Sequence, residues 1–411
     1  MRTFEENVDK YAELAVKVGV NIQQGQTLII NADISSALFV RKIVRKAYEA
    51  GARLVQVDWT DEHVTRTRFD YAPDESFTYF PEWRADMLEK AYQEGAAALS
   101  VVSMNPDLLK GVDPSKISSL GRVAGEATKR YMKYTRGFKI SWSIVAVPSE
   151  AWAAKVFPGT DSKDEQIEKL WNAIFDATRI SLEDPIQAWN DHIQSLMSKV
   201  NLLNELELDT LHYSAPGTDL TIELAKKHIW VGAESINDKG NSFIANIPTE
   251  EVFTTPLKTG VNGTVRGTKP FNYGGNVIDH FSFTFEDGRI VDFDAEEGYE
   301  ALKRMLETDE GSLYLGEVAL VPHCSPISNS GITFYNTLFD ENASHHLAIG
   351  NSYTFTIENG YEMTEQELAD NGVNNSANHV DFMIGSSEMN IDGKKKDGRV
   401  IPLFRNGEWV I

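Results

Sequence analysis

The chain has 411 residues, 42% of them hydrophobic and 24% charged, which is typical of a globular protein and long enough for two domains. Its formal net charge of −22 argues against a nucleic-acid partner, because binding to phosphates requires clustered lysine and arginine. The single cysteine, Cys324, excludes an internal disulfide framework and a zinc site built from thiolates.

The N-terminal segment predicts a helix and not a signal peptide. Its apolar residues recur at alternating spacings of four and three, which places them on one helical face. These residues are Phe4, Val8, Tyr11, Ala15 and Val18. Acidic residues interrupt the apolar run that a signal peptide would carry, and no stretch approaches the roughly 18 apolar residues of a transmembrane helix. We therefore expect a cytoplasmic protein with no membrane partner.

Residues 1–200 alternate between helix and strand patterns. An apolar run, a helix and a second apolar run predict one βαβ unit, with the right-handed crossover that parallel strands use. The predicted strands are 27–30, 54–59, 98–102 and 139–147, and the predicted helices are 36–49, 83–93, 117–134 and the segment 164–206. The pattern predicts an α/β domain with a small parallel sheet and flanking helices. The domain lacks both glycine-rich phosphate-binding motifs, G-x-G-x-x-G after a strand and G-x-x-x-x-G-K-[ST]. We therefore expect it to be a scaffold and not a nucleotide site.

Residues 201–411 have a different sequence pattern, which is rich in short strand and turn signals. Asp287-Gly288 and Asn406-Gly407 each separate two apolar segments, which is a strong signal for a two-residue hairpin. The segment 215–218 also predicts a turn. We expect a larger, β-rich α+β domain with mostly antiparallel strands, and we expect it to be the catalytic one.

The familiar hydrolase signatures are absent from the sequence. No H-E-x-x-H occurs, which excludes a zincin, and no G-x-S-x-G nucleophile elbow occurs. What remains is a set of carboxylates and histidines in four segments of the second half.

The first segment is 248–256, which is bracketed by prolines and carries Glu250 and Glu251. Adjacent residues of a strand point to opposite faces, so only one of the two glutamates can face a shared site. Glu251 shares its side with Phe253 and Thr255. A carboxylate here would suit a bridge between two metal ions, whereas the alternative is a pair of solvated glutamates at a sheet edge.

The second segment, 316–321, reads as an apolar strand with one acid, Glu317, near its start. An isolated acid in that position is most often a surface residue at the end of a strand. The functional alternative is a ligand that projects from the strand into a site.

The third segment, 339–350, contains Glu341, His345 and His346, with Tyr353 just beyond it. The pattern predicts a short helix that is capped at residue 340 or 342 and ends at a glycine. Two adjacent histidines cannot both face one centre. We therefore expect one ligand and one bystander, and the spacing leaves open which is which.

The fourth segment places His379 and Asp381 two residues apart on a predicted strand. The two side chains then share one face, while Val380 and Phe382 face the core. Such a polar pair opposite an apolar face suits metal ligation, although a partly exposed ordinary strand has the same pattern.

Together these segments resemble the aminopeptidase T family of bacterial metallo-aminopeptidases over essentially the whole chain. The similarity is most specific in NIPTEEVFTTP, in the GE of LGEVALV, in DENASHHLAIGNSY and in NHVDFMIG, with GTDLTIEL at 217–224 as a further stretch. The resemblance implies metal ligands at Glu251, Glu317, His346, His379 and Asp381. Relatives often carry another residue in place of Glu250 and a cysteine in place of His345, which favours Glu251 and His346.

The resemblance also implies a function. It is the removal of N-terminal residues from peptides with a free N-terminus, by hydrolysis with a water activated between two divalent ions about 3.5–4 Å apart. Carboxylate and imidazole ligands accept zinc, cobalt, manganese or magnesium. Glu317 or Glu341 would transfer the proton, and Tyr353 would donate a hydrogen bond to the oxyanion. The family forms homodimers, and Phe271 and Tyr273 would suit an interface.

Two other classes of function compete with this interpretation. His346, His379 and Asp381 would also make the facial triad of a mononuclear non-haem iron enzyme, such as a ring-cleaving dioxygenase. That triad does not require Glu251 and Glu317, whereas a dinuclear peptidase does. A binding protein without catalysis is the third class, and no spacing in the sequence excludes it.

Overall fold

The computed structural model describes residues 2–103, 105–160 and 162–411. Contacts between Cα atoms divide the chain into two compact units, Met1–Asp191 with Glu234–Pro248, and His192–Ala233 with Thr249–Ile411. That the chain divides into two domains, residues 1–200 and 201–411, stays a prediction. Among the described residues, no helix is both long and apolar enough to cross a membrane.

The helices and strands are numbered here in chain order. The α-helices of the described residues are α1 Phe4–Leu14, α2 Ala37–Glu49, α3 Glu62–Tyr71, α4 Glu82–Gln93, α5 Pro114–Arg136, α6 Glu150–Val156, α7 Lys163–Ala177, α8 Pro185–Leu206, α9 Tyr299–Leu306, α10 Pro326–Asn329, α11 Thr337–Asp340 and α12 Glu365–Asp370. The strands are β1 Thr27–Asp33, β2 Leu54–Thr60, β3 Ala97–Val102, β4 Trp142–Ala146, β5 Leu208–Ala215, β6 Thr218–Leu224, β7 Val231–Gly232, β8 Glu234–Ile236, β9 Ser242–Ile244, β10 Val252–Thr254, β11 Pro256–Arg266, β12 Phe271–Tyr273, β13 Asn276–Glu286, β14 Arg289–Glu297, β15 Leu315–Leu320, β16 His346–Gly350, β17 His379–Met383, β18 Asn390–Lys395, β19 Val400–Arg405 and β20 Glu408–Trp409.

The first unit contains a four-stranded sheet in the order β2-β1-β3-β4, and all of its pairs are parallel. Consecutive residues of β1, Leu28, Ile29 and Ile30, are all buried, so both faces of the sheet are covered. This confirms the predicted parallel sheet with flanking helices. The sequence analysis missed α3, because only Phe69 of that helix is buried and its apolar periodicity is weak.

The second unit contains two larger sheets, in which every pairing of neighbouring strands is antiparallel. One has nine strands in the order β12-β13-β11-β6-β5-β18-β19-β20, with β14 beside β13. The other has five, in the order β17-β16-β15-β10-β7. The predicted β-rich α+β half is therefore confirmed. The five-stranded sheet carries the candidate site, because the four acidic or histidine-containing segments lie on or beside four of its neighbouring strands.

Both two-residue hairpins are confirmed, since Asp287-Gly288 connects β13 to β14 and Asn406-Gly407 connects β19 to β20. Asp287 and Gly288 connect β13 to β14 with positive φ angles of 46° and 82°, which is the twist that a tight hairpin requires. Phe271, predicted to suit an interface, is only 8% exposed and packs edge-on against Phe281 at 5.0 Å between ring centroids. It is a core residue, because the apolar face of its hairpin is turned inward. Tyr273 is half-buried.

Replacing Gly288 with alanine is expected to destabilise the protein much more than the same change at Gly398. Both glycines have left-handed φ angles, 82° and 88°, so each substitution carries a strain of about 1–2 kcal/mol. A Cβ atom at Gly288 would also lie 1.8 Å from the carbonyl oxygen of Lys258, whereas Gly398 faces open space. We expect a total of about 3 kcal/mol or more for Gly288→Ala. Urea unfolding followed by circular dichroism tests this, and equal losses in the two variants would contradict it.

Candidate metal centre

Glu317 lies inside a fully buried strand. All six residues of β15 are buried, and Glu317 itself is 5% exposed. The pairing of β15 with β16 shifts by one residue between Leu315 and Glu317, so Gly316 is the extra residue of a β-bulge. A Cβ atom at Gly316 would lie 2.4 Å from two backbone carbonyl oxygens, which is why glycine is needed there. The alternative of a solvated surface acid is therefore wrong, because neighbouring strands cover β15 on both sides.

The helix predicted across residues 340–350 is wrong. Helix α11 ends at Asp340, a short 3-10 turn covers Glu341–Ala343, and β16 begins at His346. All five residues of β16 are buried between β15 and β17. The periodicity of a short apolar run does not distinguish a buried helix from a central strand. Here the segment forms a strand because it pairs with β15 on one side and β17 on the other.

His345 and His346 are consequently separated by the alternation of a strand. The Nε2 atom of His346 lies 3.1 Å from Glu251 Oε2 and 3.5 Å from Glu317 Oε1. The His345 ring instead stands edge-on to Phe404 at 4.4 Å, and its Nδ1 accepts a hydrogen bond of 3.1 Å from the backbone N–H of Val321. The structure thus brings only one of the two histidines into the cluster.

Glu250 and Glu251 are separated in the same way. The Glu250 carboxylate lies 3.5 Å from Nε2 of His192, whereas Glu251 faces His346. Both glutamates are buried, at 3% and 8% exposure, so the alternative of two solvated glutamates is wrong. Glu251, and not Glu250, therefore faces the cluster, as the alternation of side chains along a strand predicts.

Strand β17 brings His379 and Asp381 to the cluster. His379 Nε2 lies 3.4 Å from Asp381 Oδ1 and 3.6 Å from Glu317 Oε2. Its Nδ1 lies 2.8 Å from the carbonyl oxygen of Asn351, to which an Nδ1–H donates. That bond selects the tautomer in which Nε2 carries the free lone pair, as metal-binding histidines require.

The five side chains form two groups that share one carboxylate. Ligand atoms of Glu251, Glu317 and His346 lie within 4.8 Å of one another, and so do those of Glu317, His379 and Asp381. Each group offers one imidazole nitrogen and two carboxylates, a donor set that divalent transition metals accept. The chemistry of the donors therefore fits divalent metal ions, and Glu317 is common to both groups.

The cluster is electrostatically unbalanced without cations. Burial raises the pKa of Glu317, and the negative charges of Glu251 and Asp381 raise it further. The hydrogen bond from His346 lowers the same pKa. Burial alone would lower the pKa of His379, but the carboxylates of Asp381 and Glu317 outweigh it and raise that pKa to about 10. Buried charges of this kind are normally compensated by a counter-ion or a metal.

Glu341 and Tyr353 lie next to these groups without joining either of them. Burial raises the pKa of the Glu341 carboxyl well above its usual range, and the charges of Asp381 and Glu251 add to the effect. The ring of Tyr353 lies 4.7 Å from that of His379. Burial, followed by the charge of Glu317, raises the pKa of the Tyr353 phenol, so this group stays protonated.

Asn342 is buried beside Glu341 and contacts the segment that carries Glu250 and Glu251. It is fully buried, and its Oδ1 accepts a hydrogen bond of 2.7 Å from the backbone N–H of Glu250. Its Nδ2 donates to Leu338 O at 3.1 Å and lies 3.4 Å from Glu341 Oε1. Its place inside the DENASHHLAIGNSY block was visible in the sequence, but spacing alone did not distinguish it from a helix cap.

Comparisons with known proteins identify the family of the chain. Residues 4–409 match the family described as thermophilic metalloprotease (M29). Aminopeptidase AmpS of Bacillus subtilis (strain 168) is 54% identical over 410 residues, which cover 100% of both chains. Aminopeptidase 2 of Geobacillus stearothermophilus is 53% identical over 410 residues, which cover 100% of this chain and 99% of the relative.

A solved structure is similar over the same extent. Wild-type AmpT from Thermus thermophilus has a TM-score of 0.94 at 40% identity, covering 100% of each chain. This likeness confirms the predicted fold class and the resemblance to the aminopeptidase T family. Because the family match covers nearly every residue, the chain belongs to the thermophilic metalloprotease (M29) family.

Proposed function

We propose that this chain is a metal-dependent aminopeptidase that hydrolyses the first peptide bond of peptides with a free N-terminus. The observation that carries the proposal is the pair of three-residue ligand groups that share Glu317. Membership of a metalloprotease family supports a divalent metal cofactor, and the similar proteins AmpS and Aminopeptidase 2 are named aminopeptidases.

The proposal includes a pair of ions. Glu251, Glu317 and His346 would hold the first ion, and Glu317, His379 and Asp381 the second. Mixed carboxylate and imidazole ligands suit zinc, cobalt and manganese, and magnesium is the less favoured member of the set because it prefers oxygen ligands. The burial of Glu317, at 5% exposure, supports its place between two cations, because water cannot compensate its charge.

The chain's own residues supply the remaining chemistry. When bound, two divalent ions provide Lewis acidity and lower the pKa of a water toward neutrality. Glu341 accepts the proton and returns it to the departing amine, because it is a buried carboxyl beside the ligand groups that belongs to neither of them. We favour it over Glu317, which is already shared by two ligand groups. Tyr353 remains protonated and donates a hydrogen bond to the tetrahedral oxyanion.

The requirement for a free N-terminus has a physical origin in the same cluster. The free α-amine would coordinate one of the ions or pair with a carboxylate of the site, and the nitrogen of an internal peptide bond offers neither interaction. Exopeptidase action follows from this recognition of the amine. The proposal also places the protein in the cytoplasm and in a homodimer, both on the family resemblance.

A ring-cleaving dioxygenase is the weaker candidate. Its triad would need His346, His379 and Asp381 to converge on one ion. In the structure, His346 groups with Glu251 and Glu317, and Asp381 groups with His379 and Glu317. A mononuclear triad leaves two buried carboxylates without a function, and the similar proteins lend it no support.

Metal removal is expected to abolish the activity reversibly. The purified chain should contain two divalent ions by elemental analysis and should hydrolyse aminoacyl-p-nitroanilides. Chelator should remove both the ions and the activity, and added cobalt, manganese or zinc should restore them. The matched N-acetylated substrate should resist cleavage, because it lacks the free α-amine.

Three outcomes would contradict the proposal. One bound iron with oxygen uptake on an aromatic diol would support the dioxygenase. Inert, metal-free protein would support a binding protein. Equal hydrolysis of the free and N-acetylated substrates would remove the proposed role of the α-amine.

A further inference from the structure

The carboxylate of Asp309 joins the two chain segments that lead into the metal-bearing strands. It accepts hydrogen bonds from the backbone N–H of Ser312 at 2.8 Å and from its Oγ at 2.9 Å. It also accepts from Ser376 Oγ at 2.7 Å and from the backbone N–H of Ala377 at 2.6 Å. Ser312 precedes β15, and Ser376 and Ala377 precede β17. One side chain therefore ties together the approaches to Glu317 and to His379.

Two asparagines extend this contact into a network. Asn378 Nδ2 donates to Ser312 Oγ at 3.0 Å and to Met305 O at 2.9 Å. Asn374 Nδ2 donates to the carbonyl oxygens of Gly311 at 2.8 Å and Gly350 at 2.7 Å. We name the network the Asp309 clamp; its members are Asp309, Ser312, Asn374, Ser376 and Asn378.

The clamp is connected to the imidazole of His379 through the backbone. The carbonyl oxygen of Asn378 accepts a hydrogen bond of 2.7 Å from the backbone N–H of Asn351. The carbonyl oxygen of Asn351 in turn lies 2.8 Å from Nδ1 of His379. The position of the Asn351 carbonyl sets the direction in which Nε2 points, and Nε2 faces Glu317 and Asp381.

We propose that Asp309 is a positioning residue for the second ligand group, Glu317, His379 and Asp381. The inference rests on the proposed function, in which this group holds an ion. Asp309 receives four hydrogen bonds from two segments that are 64 residues apart in sequence, as measured between Ser312 and Ser376. A neutral side chain cannot accept all four. The Asp309 hydrogen bonds do not include the segments that carry Glu251 and His346, so the effect on the first group should be smaller.

The test is the stepwise binding of cobalt alone to the metal-free full-length chain, followed by calorimetry and by the visible absorption of bound cobalt. In Asp309→Asn, one of the two dissociation constants is expected to rise about 10–100-fold, as for other residues that orient a ligand. The other constant should change less than about threefold. Excess cobalt should restore the absorption of the second ion, which a general loss of folding would not allow.

Two further variants keep the test informative. Ser376→Ala removes one of the four hydrogen bonds and should shift the same constant in the same direction by a smaller factor. Asp113→Asn is the matched control, because Asp113 also accepts a backbone hydrogen bond, 2.8 Å from Ser115 N, but lies in the other unit. It should leave both constants unchanged.

The outcomes separate this inference from the proposed function. A wild-type chain that binds fewer than two ions would overturn both. A wild-type chain that binds two ions, beside an Asp309→Asn variant with unchanged constants or with both weakened equally, would overturn the positioning role alone. If Asp309→Asn does not fold, the result for Ser376→Ala decides, and unchanged constants there would also overturn it.

Discussion

Replacing Glu317 with glutamine is expected to remove most of the bound metal and to lower kcat/KM by about a thousandfold or more. Glu317 is the only residue common to the two ligand groups, so its loss affects both ions. A glutamine has the same size, but its oxygen is neutral and its NH2 group directs hydrogens toward the cations. Elemental analysis after dialysis, together with aminoacyl-p-nitroanilide kinetics, measures both effects.

Glu250→Gln is the matched control for this variant. Glu250 is buried to a similar degree, at 3% against 5%, and its carboxylate faces His192 away from the ligand groups. Glu250→Gln should therefore retain both ions and at least about half of the activity, because no ligand changes. If Glu250→Gln loses metal and Glu317→Gln does not, the assignment of the shared carboxylate is wrong.

Replacing Glu341 with glutamine is expected to lower kcat by about a hundredfold to ten-thousandfold while both ions remain bound. Glu341 belongs to neither ligand group, yet Asp381 and Glu251 lie close enough for their charges to raise its pKa. A carboxyl at that position can take up and release a proton, and an amide cannot. Steady-state kinetics and elemental analysis of the same preparation are the measurements.

This variant separates proton transfer from metal binding. Glu317→Gln and Glu341→Gln should both be nearly inactive, but only the first should lose metal. KM of Glu341→Gln should change little, because the substrate amine and the ligands are untouched. Loss of an ion from Glu341→Gln would show that Glu341 is a ligand, and full activity would assign the proton transfer to another group.

Much of the fold could be predicted from local patterns. Each of the four strands in the first unit is marked by its own apolar run, and the hairpin is marked by Asp287-Gly288. Each of these patterns spans no more than about ten residues, so it can be recognised locally. Helix α3 was missed because it buries only Phe69. The predicted helix near 340–350 failed because its apolar run is short, and a short buried run has no distinguishing period.

The candidate site was predictable in its residue types and less so in its arrangement. The period of two on a strand already placed His379 and Asp381 on one face, and the same alternation separated Glu250 from Glu251. For His345 and His346 the resemblance favoured the second histidine, and the structure places that histidine in the cluster. We expected the two histidines to point in different directions around a helix. They point in different directions because side chains alternate along a strand.

The sequence by itself determined which ligands are available, in what order they occur, and which neighbours can share a face. Only the tertiary structure decided that Glu317 is common to two ligand groups. It also decided that Asp309 joins the segments that precede β15 and β17. The reason is that Glu251, Glu317, His346 and Asp381 meet through the pairing of β10, β15, β16 and β17. Pairing between distant strands depends on the whole sheet and its core, and local periodicity carries no information about it.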